Sequence, residues 1–209
     1  MYLEYLKELI MNKTHQLYEI KEKCKNCKKC KSYETRKNIV FSSGNEDANV
    51  MFIGEAPGEH EDNQALPFVG PAGQLLESFF QRLKIDRNKD LYISNVLKCR
   101  PIKIGKTGRV SNRTPDYDEM DNCIENLIEQ IKIVNPKLIV LAGSTALKAL
   151  TKRKTCKIKS EMGQFFDLTI GDCIYKAIAV LHPSYLMQYA TDDDKVKTLE
   201  YLKKIKEFI

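Results

Sequence analysis

The sequence predicts an α/β protein built on a mostly parallel sheet with helices on both faces. Three observations carry that expectation. Short apolar runs at 49–54 (NVMFIG), 91–97 (LYISNVL), 137–143 (KLIVLAG) and 175–182 (YKAIAVLH) read as buried strands. Segments with apolar residues at helical spacing separate the first three, and such alternation supplies the crossovers that parallel pairing needs. Finally, Glu55, Asn95 and His182 each stand at or just past the end of one of these runs. Parallel sheets bind ligands in the crevice at the carboxyl ends of their strands, so these three residues are expected to face one cleft.

Each element has a local reason. Leu3, Leu6, Ile10, Leu17 and Ile20 repeat at helical spacing, which predicts a helix over 3–22. A basic, cysteine-rich loop follows (KEKCKNCKKCKSYETRK). Helices are predicted over 70–84 (GPAGQLLESFFQRLK), 116–134 (DYDEMDNCIENLIEQIKIV) and 144–150 (STALKAL), the last with Ser144 or Thr145 as N-cap. The segment 101–115 (PIKIGKTGRVSNRTP), basic and rich in turn residues, is predicted to be the least structured. FFDLTIGDCIYKAIAV reads as a hairpin turning at Gly171-Asp172. The C-terminal TDDDKVKTLEYLKKIKEFI opens with acids and ends with lysines, the order that a helix dipole favours.

A chain of 209 residues is expected to form one domain, 1–209, with a substantial core. The 43% hydrophobic and 30% charged residues describe an ordinary soluble protein. The net charge of +6 permits a polyanionic partner. The N-terminus carries an early acid and no long apolar run, so neither a signal peptide nor a membrane span is expected, and the expected compartment is the cytoplasm. There, seven cysteines are expected to be metal ligands or buried thiols, not disulfides.

Cys24, Cys27 and Cys30 are spaced C-x2-C-x2-C, with Cys99, Cys123, Cys156 and Cys173 further on. Two thiols on a tight loop with two distant ones make a four-thiolate site, suited to zinc or to an iron–sulfur cluster. A ferredoxin run would bring its fourth ligand close behind, whereas Lys31 and Ser32 follow here. A zinc knuckle is the simpler competitor. Cys156 and Cys173 read as incidental thiols.

Taken in order, GEAPGEHED (54–62), PFVG (67–70), AGQLL (72–76), ISNVLKCRP (93–101), LAGSTALKAL (141–150) and HPSYL (182–186) resemble the family 4, iron–sulfur uracil-DNA glycosylases. The resemblance implies a three-layer α/β/α sandwich around a short, mostly parallel central sheet. It implies a [4Fe-4S] cluster on Cys27, Cys30, Cys99 and Cys123, leaving Cys24 as an extra thiol able to replace a loop ligand. It implies uracil-containing DNA, single- or double-stranded, as substrate, and a monomer with no membrane partner. Departures from the family pattern are Pro71, where a basic residue is usual, Ala65, where Gly is common, and a longer basic stretch between Cys99 and Cys123.

Base excision needs an extruded nucleotide held by its edge and its π-face. The resemblance and the residue chemistry together assign Phe68 to stacking, with a core Phe as the plainer reading, and the Asn95 amide to the uracil edge. His182 is expected to donate to uracil O2, helped by backbone N–H groups of the turn Glu55, Ala56, Pro57 and Gly58. Glu55 is expected to orient or deprotonate the attacking water, with Glu61 and Asp62 as lesser candidates. Lys25, Lys28, Lys29 and Lys31 are expected to meet phosphates. A relative that becomes trapped covalently on DNA would carry a His-bearing loop after KCRP, and 101–115 holds no His. The alternative of another class is a non-catalytic iron–sulfur or zinc nucleic-acid-binding protein that keeps the fold.

Overall fold

The structure, a computed structural model, describes the backbone of residues 2–209 and the side chains of residues 13–209. Its centre is a six-stranded sheet in the order β1-β3-β2-β6-β8-β7. The strands are β1 (Ser43–Gly44), β2 (Val50–Gly54), β3 (Leu91–Asn95), β6 (Leu138–Ala142), β7 (Phe165–Ile170) and β8 (Cys173–Val180). Neighbours β3, β2, β6 and β8 pair in parallel, and β1 and β7 pair antiparallel at the two edges. The β7–β8 hairpin turns at Gly171-Asp172, as the sequence predicts.

Strand residues alternate between two apolar layers, as a period of two requires. Met51, Ile53, Ile139, Leu141, Ala177 and Ala179 face one core, shared with Leu17 and Ile20 of helix α1 (Tyr2–Asn26), Leu127 and Ile131 of α4 (Tyr117–Val134), and Leu147 and Leu150 of α5 (Ser144–Thr151). Val50, Phe52, Ile93, Val140, Ile178 and Val180 face the other. There they meet Leu76 and Phe80 of α3 (Pro71–Leu83), Leu186 of α7 (Pro183–Gln188) and Leu202 of α8 (Asp192–Lys204). The result is the three-layer α/β/α sandwich. Short helices α2 (Glu59–Gln64) and α6 (Ile158–Glu161) complete the helical set. No helix among the described residues is long and apolar enough to cross a membrane.

Three local expectations are corrected. Helix α1 ends at Asn26 instead of 22, because buried Cys24 continues the stripe of Leu17 and Ile20, and Lys23 and Lys25 suit a helix C-terminus. Residues 101–115 carry an antiparallel ribbon, β4 (Ile102–Ile104) with β5 (Val110–Asn112). Its turn uses Gly108 at φ 79°, and Arg113 ties its base by donating to Ile102 O and to Glu119. The N-cap of α5 is Gly143, neither Ser144 nor Thr145. Gly143 adopts φ 91°, and a Cβ there would lie 2.9 Å from His182 Cβ, so only glycine serves at this strand-to-helix turn.

Candidate active site

The carboxyl ends of β2, β3, β6 and β8 form one rim, and the sequence-predicted residues meet there. Asn95 ends β3 directly beside Gly54, which ends β2. A Cβ on Gly54 would lie 2.4 Å from Asn95 Oδ1 and 2.5 Å from Phe68 Cζ. Gly54 therefore leaves the space in which the Asn95 amide and the Phe68 ring converge. Nothing in the sequence alone marks this glycine as part of the site. The Phe68 ring in turn lies 5.9 Å from the His182 ring, centroid to centroid.

Phe68 is 6% exposed, so it is not a freely exposed ring on its loop. One edge packs against Phe52 at 5.4 Å in a T-shaped contact. Core packing and a place on the rim are thus both properties of the same ring. Its backbone has φ 54°, a left-handed conformation that a bulky side chain rarely adopts. The surroundings impose it. Arg87 Nη1 donates to Phe68 O at 3.0 Å and Nη2 to Pro67 O at 2.8 Å. Glu61 Oε1 accepts from the amides of Val69 and Gly70 at 3.0 and 2.7 Å, and its Oε2 accepts from Gly58 at 3.1 Å.

Both lesser acids are engaged by backbone amides. Glu61 is a brace between two loops. Asp62 is buried, and its carboxylate accepts from the amides of Lys37 and Asn38 at 3.0–3.1 Å. The turn after Glu55 is also narrower than expected. Pro57 has no N–H and the Gly58 amide is engaged by Glu61, so only Ala56 of those three has an amide to offer.

Glu55 is partly buried. Its Oε2 accepts from Thr145 Oγ1 at 2.5 Å, so Thr145 serves the carboxylate and not the helix cap. Burial raises the Glu55 pKa above the usual 4.5, and the Thr145 hydrogen bond opposes that rise. His182 caps α7. Its Nδ1 lies 3.2 Å from the Ser184 amide and 2.8 Å from Ser184 Oγ. A backbone N–H can only donate, so Nδ1 is the acceptor and the proton of the neutral ring belongs on Nε2. Burial lowers the His182 pKa to about 4, against a weaker opposing effect of Glu61, which keeps the ring neutral at pH 7.

Two atoms of this rim lack partners among the described residues. Asn95 Oδ1 and His182 Nε2 are buried and make no hydrogen bond to any of them. Buried polar groups are nearly always paired, so an acceptor and a donor left open beside one aromatic ring describe a site awaiting a planar polar ligand.

Five of the seven cysteines gather in one place. Cys24, Cys27, Cys30, Cys99 and Cys123 line one cavity with Arg36 and Lys98, and among the described residues no carboxylate lines it. Arg36 Nη1 lies 3.0 Å from Cys99 Sγ, and its Nη2 donates to Lys25 O at 2.5 Å, which ties the loop to the end of α1. Burial pushes the Cys24 thiol up to about 12 and Cys99 up to about 11, and raises Cys30 and Cys123 as well. Neighbouring thiolates add to each rise, as is expected where thiols crowd together without a cation. Among the described residues, no three His, Cys, Asp or Glu side chains are closed around a point that would hold a metal ion. The donor chemistry suits a soft, thiolate-bound centre. Cys156, half-buried, and Cys173, exposed, lie away from this cavity. Of the lysines around it, Lys25 pairs with Glu22 and Lys29 with Glu125, surface pairs of little energetic weight.

Comparison with known proteins identifies the family. The profile of the uracil DNA glycosylase superfamily matches residues 41–206. The crystal structure of Pedobacter heparinus SMUG2 shares the fold, with a TM-score of 0.56 at 16% identity over 77% of this chain and 76% of that one. The type-4 uracil-DNA glycosylase of Thermotoga maritima is 38% identical over 95% of this chain and 98% of its own length. That of Pyrobaculum aerophilum is 37% identical over 85% of each. This chain belongs to the type-4 uracil-DNA glycosylases.

Proposed function

We propose that this protein, acting as one domain, extrudes uracil from DNA and hydrolyses its N-glycosidic bond, leaving an abasic site for base-excision repair. The observation that carries the reading is the pair of buried, unpartnered atoms, Asn95 Oδ1 and His182 Nε2, beside the Phe68 ring. Uracil supplies what each lacks: N3–H for Asn95 Oδ1, and O2 for the His182 Nε2–H. The Asn95 amide NH2 then serves O4, and the Phe68 ring takes the π-face. Cytosine offers an acceptor at N3 and a donor at position 4, which leaves the same amide mismatched.

As the bond to C1′ breaks, its electron pair stays on uracil and the sugar becomes cationic. The Nε2–H of His182 stabilises the anion, and a neutral ring suffices because it donates without transferring its proton. The Glu55 carboxylate, fixed by Thr145, holds a water against C1′ and offsets the oxocarbenium charge. The water oxygen bonds to C1′ and its proton passes to Glu55. The test is incubation with a uracil-containing single-stranded oligonucleotide. Abasic sites are the expected product, and intact uracil after long incubation would refute the reading in favour of a fold-only nucleic-acid binder.

The Phe68 loop should matter beyond the residues that touch uracil. Arg87→Ala removes both donors to the Pro67 and Phe68 carbonyls, so the left-handed Phe68 is no longer enforced. Excision should fall by up to about 10²-fold, as expected for a shift of about 1 Å in a reacting group. A wild-type rate in Arg87→Ala would show that the loop holds itself.

Cys27, Cys30, Cys99 and Cys123 are the proposed ligands of a [4Fe-4S] cluster, on the strength of the family and of the shared cavity. Cys27 and Cys30 would hold such a cluster from the 24–30 segment, Cys99 from the segment after β3 and Cys123 from α4, so that binding would join these three parts of the chain. Protein purified without oxygen should be brown and contain iron and sulfide. Cys99→Ala should lose the iron and Cys24→Ala should keep it. Stoichiometric zinc without iron would refute the assignment.

A further inference from the structure

We infer that Lys98 is a positioning residue that ties the cysteine cavity to the base-recognising end of β3, so that the group held by the thiols sets the placement of Asn95. Lys98 is 1% exposed, unusual for a lysine. Its side chain folds back from the segment after β3 onto the end of that strand. Nζ donates to Asn95 O at 2.7 Å and to Ser94 Oγ at 2.6 Å. The same residue lines the cysteine cavity.

Both acceptors are neutral, and no carboxylate pairs with Lys98 among the described residues. Cys24, Cys99 and Cys123 face it across the cavity, and Cys99 and Cys123 become thiolates when they hold the proposed cluster. A buried ammonium without counter-charge is costly, so these thiolates are its electrostatic partner and the β3 oxygens are its anchor. The anchor is stiff. Ser94 Oγ donates onward to Phe41 O at 2.8 Å, and Gln130 Nε2 donates to Tyr92 OH at 2.9 Å in the same buried network. Loss or movement of charge in the cavity therefore pulls on the carbonyl of the residue whose amide reads uracil. This inference rests on the proposed cluster and on the proposed role of Asn95.

The test is Lys98→Met, which keeps length and burial and removes the charge. Iron retention against a chelator and single-turnover uracil excision are measured in the wild-type and Asn95→Ala backgrounds. Loss of an outer partner of a metal site typically costs about 10–100-fold in metal affinity or activity. Lys98→Met should show losses of that size in both readouts. In Asn95→Ala the further loss of excision should vanish, because a residue that acts through Asn95 has nothing left to position. Equal fold-losses in both backgrounds, or unchanged iron retention, would overturn the inference while leaving the cluster in place. Wild-type protein that binds no iron would overturn the cluster assignment and this inference together. Should Lys98→Met not fold, Ser94→Ala is the second probe, since it removes one anchor and keeps the ammonium. It should show a smaller excision loss, again absent in Asn95→Ala, and an equal loss in both backgrounds overturns the inference.

Discussion

Glu55→Gln is expected to slow the chemical step of uracil excision by about 10²–10⁴-fold, the range for losing one general base. DNA affinity should change little, because phosphate contacts dominate it. The amide fills the same volume and keeps an oxygen for the Thr145 hydroxyl, but it cannot take a proton from water. Burial raises the Glu55 pKa, so the active carboxylate form is lost at a higher pH than for an exposed glutamate. The single-turnover rate of the wild type should rise with pH through that raised pKa and then level off, and Glu55→Gln should lack this rise. The measurement is single-turnover cleavage of a uracil-containing strand beside a binding titration at fixed salt. If Glu55→Gln cleaves at the wild-type rate, Glu55 is not the base. Asp62 and Glu61 are then poor substitutes, since backbone amides already occupy their carboxylates.

Much of this site is legible in the sequence because strand ends are legible. β2, β3, β6 and β8 are short, continuous apolar runs, and a parallel sheet brings their carboxyl ends together whatever the loops do. That alone places Glu55, Asn95 and His182 on one rim. The residues that hold the rim in shape were not legible. Arg87 reads as one more surface charge near a helix end, and its reach to Pro67 O and Phe68 O exists only after α3 has packed. Thr145 reads as a helix cap, and its hydroxyl turns to Glu55 because Gly143 takes the cap position. Gly54 looks like an ordinary strand terminator until Asn95 and Phe68 arrive from elsewhere in the chain. The ribbon at 102–112 was hidden for another reason. Its strands are three residues each and mostly exposed, so they carry no hydrophobic alternation to detect.

His182→Ala is expected to cost about 10²–10³-fold in the chemical step, by analogy with an oxyanion-hole donor. That cost requires a neutral ring with its proton on Nε2, and stability against pH tests the neutral state separately. The folded-state pKa is about 4, below the ordinary 6.5. Between those values the unfolded chain binds a proton that the folded chain does not, so stability falls as pH drops from 6.5 towards 4. The full effect is on the order of 3 kcal/mol, and above pH 6.5 the group contributes no pH dependence. His182→Ala should therefore flatten the acid limb of the stability curve in that window. At neutral pH it should also lose about 1 kcal/mol through the missing cap on the Ser184 amide. Urea unfolding at several pH values reads both effects, and single-turnover cleavage reads the first. An unchanged rate would show that the leaving uracil does not use this donor. An unchanged acid limb would show that the folded ring takes up a proton freely, and the neutral Nε2–H donor would then be the wrong description of the site.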